Sequence, residues 1–281
     1  MREQMEEREG AGLIPRAITR VLGESSVAAL ATIVEGPAGT VGAKLLVEAT
    51  GALTGSLKDA ELDERVARHA PLFLASRVEA KTFKAEELGY VNTEQRSVRV
   101  LFERIEPAPR LVICGAGHVG AALARIALSV GYRMTLIDDR ADFLTRERFP
   151  DEGIELLHAR TWTTAVAEAV GQGRGVSVAV VTRGHNEDEE CLRAVVAARP
   201  DYVGLIGSKR RTNIVLDRLR ADGAVDEATL NEVRAPIGLD IGAVSPQEVA
   251  LAIMAEIVAE RRAGTGAPLS AWRRARMKDE G

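Results

Sequence analysis

Cysteine is scarce in this chain: Cys114 and Cys191 are its 2 cysteines in 281 residues, and no CxxC spacing joins them. That excludes a disulfide framework and a zinc ribbon. An excess of one charge is lacking as well. Lys and Arg number 37 against 41 Asp and Glu, a formal net charge of -4. No dominant basic field and no basic stripe interleaved with aromatics is visible, so no nucleic-acid partner is expected. No apolar run approaches the length needed to span a bilayer. The opening MREQMEEREG is charged and holds no apolar signal core, so a cytoplasmic location is expected. What remains is the composition of an ordinary soluble protein, long enough for one large or two ordinary domains.

What the chain does have is the stretch from Leu111 to Arg140. An apolar run, Leu111 to Cys114, meets Gly115-Ala116-Gly117-His118-Val119-Gly120. A helical pattern follows, with Val119, Leu123, Ile126, Ala127 and Val130 on one face, and Gly131 stops it. A second apolar run, Met134 to Ile137, ends in Asp138-Asp139-Arg140. Strand, tight glycine turn, helix, strand and closing acid together make a dinucleotide fingerprint. Gly115 permits the turn, Gly117 lets backbone approach a phosphate, and Gly120 lets the helix lie close to the strand. A glycine turn of this kind also occurs for packing alone.

Around this unit the chain reads in order. Residues 1–12 read as a frayed leader, and Leu13 to Gly23 as a short helix. Val27 to Val34 and Ala43 to Ala49 read as strands, with a hairpin turn at Thr50-Gly51. A helix runs from after Leu57 to about Ala70, before Pro71. Val78 to Phe83 and Val98 to Ile105 are further strands. Glu106-Pro107-Ala108-Pro109-Arg110 is a stiff linker. The boundary placed there gives an N-terminal α+β domain, 1–106, and a Rossmann-like domain, 107–281. In the second domain strands at Ile154 to Leu157, Val176 to Thr182 and Tyr202 to Ile206 alternate with helices at Thr163 to Val170, Asn186 to Ala198 and Ser208 to Arg220. Such alternation predicts a doubly wound parallel sheet. Asn186 and Glu189 have capping-box spacing. Ser245-Pro246-Gln247-Glu248 opens a last helix, apolar nearly all round until Arg261, which is therefore buried or in an interface. The Arg-rich tail after Gly264 reads as loose.

A strand order of 3-2-1-4-5 aligns three loops at the switch point, where ligands of such sheets bind. They carry His118, then Arg183-Gly184-His185, then Ser208-Lys209-Arg210-Arg211. Two histidines flanking one crevice point to a ligand, although each also fits as a cap of its own loop. A metal held by them and Asp188 is not expected, because Glu187, Asp188 and Glu189 belong in the first turn of a helix without any metal. Three cations at a helix N-terminus oppose the macrodipole, which makes sense where an anion binds. Asp138 stands where an acid holds a ribose hydroxyl, and Arg140 could instead meet a phosphate. No nucleophile, base and orienter can be assembled from spacing. Cys114 reads as a buried strand-end cysteine.

Taken together, these residues resemble the XdhC/CoxI family, accessory factors of xanthine dehydrogenase and related molybdenum hydroxylases. The likeness covers nearly the whole chain. The glycine turn, Asp138-Asp139-Arg140, Arg148-Phe149-Pro150, Thr182-Arg183-Gly184-His185 with Asp188, and Tyr202 through Arg210 are similar to the family's Rossmann half. Ala235-Pro236-Ile237-Gly238-Leu239-Asp240-Ile241-Gly242 with Ser245-Pro246-Gln247-Glu248 is the most specific match. Gly42-Ala43-Lys44, Gly55-Ser56-Leu57 and Leu62-Asp63 resemble the N-terminal domain. There Lys58, Asp59 and Ala60 replace the commoner glycines and cysteine, so no role of that cysteine carries over.

The resemblance implies a carrier that holds a molybdopterin-type molybdenum cofactor, supports its sulfuration by a partner sulfurtransferase, and passes it to an apo-hydroxylase. Its expected cofactor-binding residues are Gly115, Gly117, His118, Gly120, Asp138, Arg140, Arg183, His185, Ser208, Lys209 and Arg210, with no catalytic residue and no metal ligand. A homodimer is expected. The residues alone leave two alternatives open: an NAD(P)-dependent oxidoreductase, for which no Tyr-x-x-x-Lys pair is apparent, and a nucleotide-sensing regulatory module.

Overall fold

A computed structural model of the chain describes residues 2–76, 78–90, 97–171, 173, 175–223 and 225–270, without the side chains of residues 2–11 and of His185. Residues 271–281, most of the tail read as loose, lie outside the described residues. The chain forms two compact units, Met1–Pro107 and Ala108–Gly281.

The first unit runs α1 (Arg2–Gly23), β1 (Ala28–Glu35), β2 (Lys44–Glu48), β3 (Leu53–Ser56), α2 (Ala60–Ala75), β4 (Ala80–Lys84), a 3-10 turn at Ala85–Leu88, and β5 (Arg99–Ile105). Its antiparallel sheet has the order β3-β2-β1-β5-β4. Period-two alternation divides β1 between two cores. Ala28 and Leu30 join Ile14, Ala17 and Val21 of α1, whereas Ala29, Ala31 and Ile33 join Leu62, Val66, Ala70 and Phe73 of α2.

Two helices differ from the sequence reading. The first begins at Arg2 rather than Leu13. No apolar periodicity precedes Leu13, so pattern reading had nothing to detect there. The second continues through Pro71 to Ala75. A proline inside a helix costs about 3 kcal/mol. Beyond it Phe73 is buried against Phe102 at a centroid distance of 5.4 Å. Burying such a side chain returns about 1.5–3 kcal/mol, so the core carries the helix past its breaker.

The second unit runs β6 (Arg110–Cys114), α3 (His118–Ser129), β7 (Arg133–Asp138), β8 (Ile154–His158), α4 (Trp162–Val170), β9 (Val176–Val180), α5 (His185–Ala198), β10 (Tyr202–Leu205), α6 (Lys209–Ala221), α7 (Glu227–Glu232) and α8 (Pro246–Arg262). The sheet is parallel, ordered β10-β9-β6-β7-β8, which is the expected 3-2-1-4-5 read from its other edge. Val112 and Cys114 face a core built with α4, α5 and α6, and Leu111 and Ile113 face one built with α3 and α8. Helices on both faces make the near-continuous apolar strands stable.

The capping box of α8 is present, with Ser245 and Glu248 bonded reciprocally. The same helix buries Ala250, Ile253, Met254 and Ile257 but leaves Leu251 52% and Val258 37% exposed. Its outer face is apolar too, which hid the polarity of its packing. The stretch before α8 is locked by contact. Ile237 fills the space that a side chain at Gly204 would need, and Gly238 takes φ +109° against Ala252. Glu256 accepts the Tyr202 hydroxyl at 3.0 Å and the Gly238 N–H. α5 begins one residue earlier than read, with Gly184 at the cap and Asn186 inside the first turn. No helix among the described residues is long and apolar enough to cross a membrane.

Candidate functional site

Cys114, Ile137, Val180 and Leu205 stand level across the carboxyl edge of the sheet. The loops that follow β6, β7, β9 and β10 therefore open side by side, and the turn after β6 lies between those after β7 and β9.

Each of the three glycines in the β6 turn does something different. Gly115 has φ +116°, and a Cβ there would stand 2.5 Å from the Val181 carbonyl oxygen. A Cβ on Gly120 would collide with the Gly115 carbonyl, so α3 can lie this close only on a glycine. Gly117 has an ordinary φ of -68°, and a Cβ there would meet nothing within 4 Å. Neither backbone strain nor protein packing requires a glycine at 117, and its free side faces open space. Gly117 is also the cap of α3 and supplies no side-chain bond. The leading N–H groups of that helix are thus available to an anion. His118, the first residue of α3, is exposed at this front.

Asp138 at the end of β7 is 1% exposed. Its Oδ1 accepts the Arg140 backbone N–H and Nε, both at 2.9 Å. Its Oδ2 accepts the Ala116 N–H at 2.7 Å and Arg140 Nη2 at 2.9 Å. Burial opposes the charge on Asp138, but the Arg140 and Ala116 bonds outweigh it and hold the carboxyl below the usual carboxylate range. The same pairing raises Arg140. Arg140 also lies 3.6 Å over the Phe143 ring. Arg148 donates to the Phe143 carbonyl at 2.7 Å and the Ala116 carbonyl at 3.1 Å, bracing the glycine turn from the β7 side. The free ribose acceptor and free phosphate cation expected at 138 and 140 are here each other's partners.

On the other side, Asp188 in the first turn of α5 is fully buried. It accepts the Thr182 hydroxyl and both Nε, at 2.7 Å, and Nη2 of Arg211. One carboxylate thus ties the β9 loop to the start of α6. Arg211 is structural, which corrects the reading of three equivalent cations. Ser208 caps α6 through the Arg211 N–H at 3.2 Å, while Lys209 and Arg210 stand exposed in its first turn. Gly207 takes φ +151° just before. Arg183 pairs across the edge with Asp139, at 2.9 and 3.3 Å, and lies 3.4 Å from Glu187. This bridge passes from the β9 loop to the end of β7, on either side of the glycine turn. His185 opens α5, and its side chain lies outside the described residues.

The structure therefore gathers Gly117, His118, Arg183, Lys209 and Arg210 on one edge, with Gly115, Gly120, Asp138, Arg140 and Ser208 shaping the loops beneath. Asp139, Arg148, Glu187 and the Asp188–Arg211 pair were missed. Among the described residues no group of three or more His, Cys, Asp or Glu could hold a metal ion. Cys114 and Cys191 are free and fully buried, and burial followed by the neighbouring Cys114 pushes the Cys191 thiol well up. A cleft of about 410 Å³ opens at the opposite end of the strands, beside Arg110, Arg133, Glu152 and Glu155. It lies at the amino ends of β6 and β7, away from the loops that carry chemistry in such sheets.

The family description "XdhC Rossmann domain" matches residues 111–257, and "XdhC and CoxI family" matches residues 22–83. The chain is 30% identical over 223 residues to the uncharacterized protein YqeB of Escherichia coli (strain K12), covering 77% of this chain and 40% of that protein. It is 28% identical over 167 residues to a probable xanthine dehydrogenase subunit of Bacillus subtilis (strain 168), covering 59% of this chain and 47% of that protein. The chain thus spans less than half the length of these two curated relatives. A crystal structure of a xanthine dehydrogenase from Bacillus halodurans shares the fold, with a TM-score of 0.50 and 16% identity over 92% of this chain and 98% of that one.

Proposed function

From the premise that this chain belongs to the XdhC and CoxI family, we propose that it is an accessory protein that binds the molybdenum cofactor in its Rossmann crevice. It supports sulfuration of that cofactor by a partner sulfurtransferase and its insertion into a xanthine dehydrogenase-type apo-hydroxylase. It works as a homodimer. The relative named a probable xanthine dehydrogenase subunit supports the choice of hydroxylase class.

The observation that carries the reading is the open side of Gly117, a glycine that neither backbone conformation nor packing requires. A phosphate of the pterin fits against the uncapped N–H groups of α3, with Lys209 and Arg210 supplying positive charge from the neighbouring loop and Arg183 from between them. Asp138–Arg140 and Asp188–Arg211 hold the surrounding loops in place. The cofactor, when bound, supplies the molybdenum chemistry of the hydroxylase; these residues bind it, shield it and release it.

Such a carrier has no turnover of its own. Reactivation of an apo-hydroxylase extract is expected to need stoichiometric protein. Sustained oxidation of NADH with a small carbonyl substrate, lost in His185→Ala, would replace this reading with an NAD(P)-dependent oxidoreductase.

A further inference from the structure

The acid that closes the second strand of a dinucleotide fold is the acceptor for the adenosine ribose hydroxyls. It works only if its oxygens have lone pairs to offer. A carboxylate has about four such sites, two on each oxygen. In Asp138 all four are filled, by the Arg140 N–H and Nε on Oδ1 and by the Ala116 N–H and Arg140 Nη2 on Oδ2. We infer that Arg140 is a specificity-determining residue: it closes the ribose subsite at Asp138, so the crevice takes its ligand by a phosphate and rejects nicotinamide adenine dinucleotides.

Three features keep Arg140 in place. Its two-pronged geometry matches a carboxylate better than a neutral hydroxyl can. The Phe143 ring lies 3.6 Å beneath the guanidinium, and Asp139 is 3.8 Å from Nε. Asp138 is 1% exposed, so turning Arg140 away would leave a buried carboxylate without its cation. A ribose hydroxyl brings no charge to replace it. The 2′-phosphate of NADPH gains little either, because it would share the guanidinium with the Asp138 charge. This inference rests on the crevice being the ligand site.

The test is a titration of the full chain with NADH and NADPH, followed by nucleotide fluorescence. The unaltered protein is expected to show no saturable binding below about 1 mM. Arg140→Leu, which leaves Asp138 in place, should gain at least about tenfold in NADH affinity, and adding Asp138→Asn should remove the gain. Arg140→Lys, which keeps a cation but not the fork, should gain less in the same direction. Micromolar NADH binding by the unaltered protein would overturn the inference. So would NADPH binding that Arg140→Leu abolishes, or folded Leu and Lys variants that gain nothing. If neither variant folds, the unaltered protein decides alone. Purified protein without pterin would sink the proposed function and leave this selectivity standing.

Discussion

Arg211 and its two neighbours show how differently adjacent cations can act. Arg211 compensates the fully buried Asp188, whereas Lys209 and Arg210 face solvent. Removing one partner of a buried pair strands the other, so Arg211→Gln is expected to cost about 3 kcal/mol in urea unfolding. Lys209→Gln with Arg210→Gln should leave stability within about 0.5 kcal/mol, or raise it slightly, because those charges oppose the dipole of α6. The double variant should weaken binding of an anionic ligand and flatten its salt dependence. A stability loss in the double variant with unchanged affinity would make these residues structural as well. The Asp188–Arg211 pair spans 23 residues and two helices, and nothing in local spacing marks it. Asp138 and Arg140 are two residues apart at a strand end, where side chains share a face, so their pairing was legible.

Acid unfolding tests the Asp138 network at the same scale. Its carboxyl titrates below the usual range in the folded chain. The stability it contributes is therefore present in full above the ordinary carboxylate pKa of about 4 and lost as the pH falls through the folded value. Asp138→Asn should be less stable near neutrality and lose less between about pH 5 and pH 2. Parallel pH profiles for the two proteins would remove Asp138 from the account.

The strand–turn–helix element from β6 to α3 assigns its glycines separate tasks, and each is testable. Gly115→Ala places a side chain at φ +116° against Val181 and is expected to destabilise by about 1–3 kcal/mol. Gly117→Ala should fold with little loss, since its Cβ points into space. A folded Gly117→Ala as unstable as Gly115→Ala would contradict that division. This element was legible because strand, turn and helix signals coincide within one short stretch. The strand order followed from the alternation of strands and helices and from right-handed crossovers. The course of α2 through Pro71 was not legible, because the burial that sustains it depends on Phe102, far along the chain. The cap of α5 was misplaced because Asn186 has a cap's side chain while Gly184 has a cap's backbone.

At the scale of the whole molecule, each unit has its own cores on both faces of its sheet. The chemistry-bearing loops of the second unit are held by two buried carboxylate–guanidinium clamps, one on each side of the glycine turn. That arrangement suits a protein that binds and hands over a ligand at a fixed edge. The most direct measurement is the ligand carried by the full chain purified from a molybdate-replete host, read by absorbance and mass spectrometry, beside a Gly117→Val variant whose fold is verified by circular dichroism. The account predicts a pterin in the unaltered protein and its loss from the folded variant, whose branched side chain fills the space that a phosphate needs. A nicotinamide nucleotide in the unaltered protein, or equal pterin in both, would contradict it.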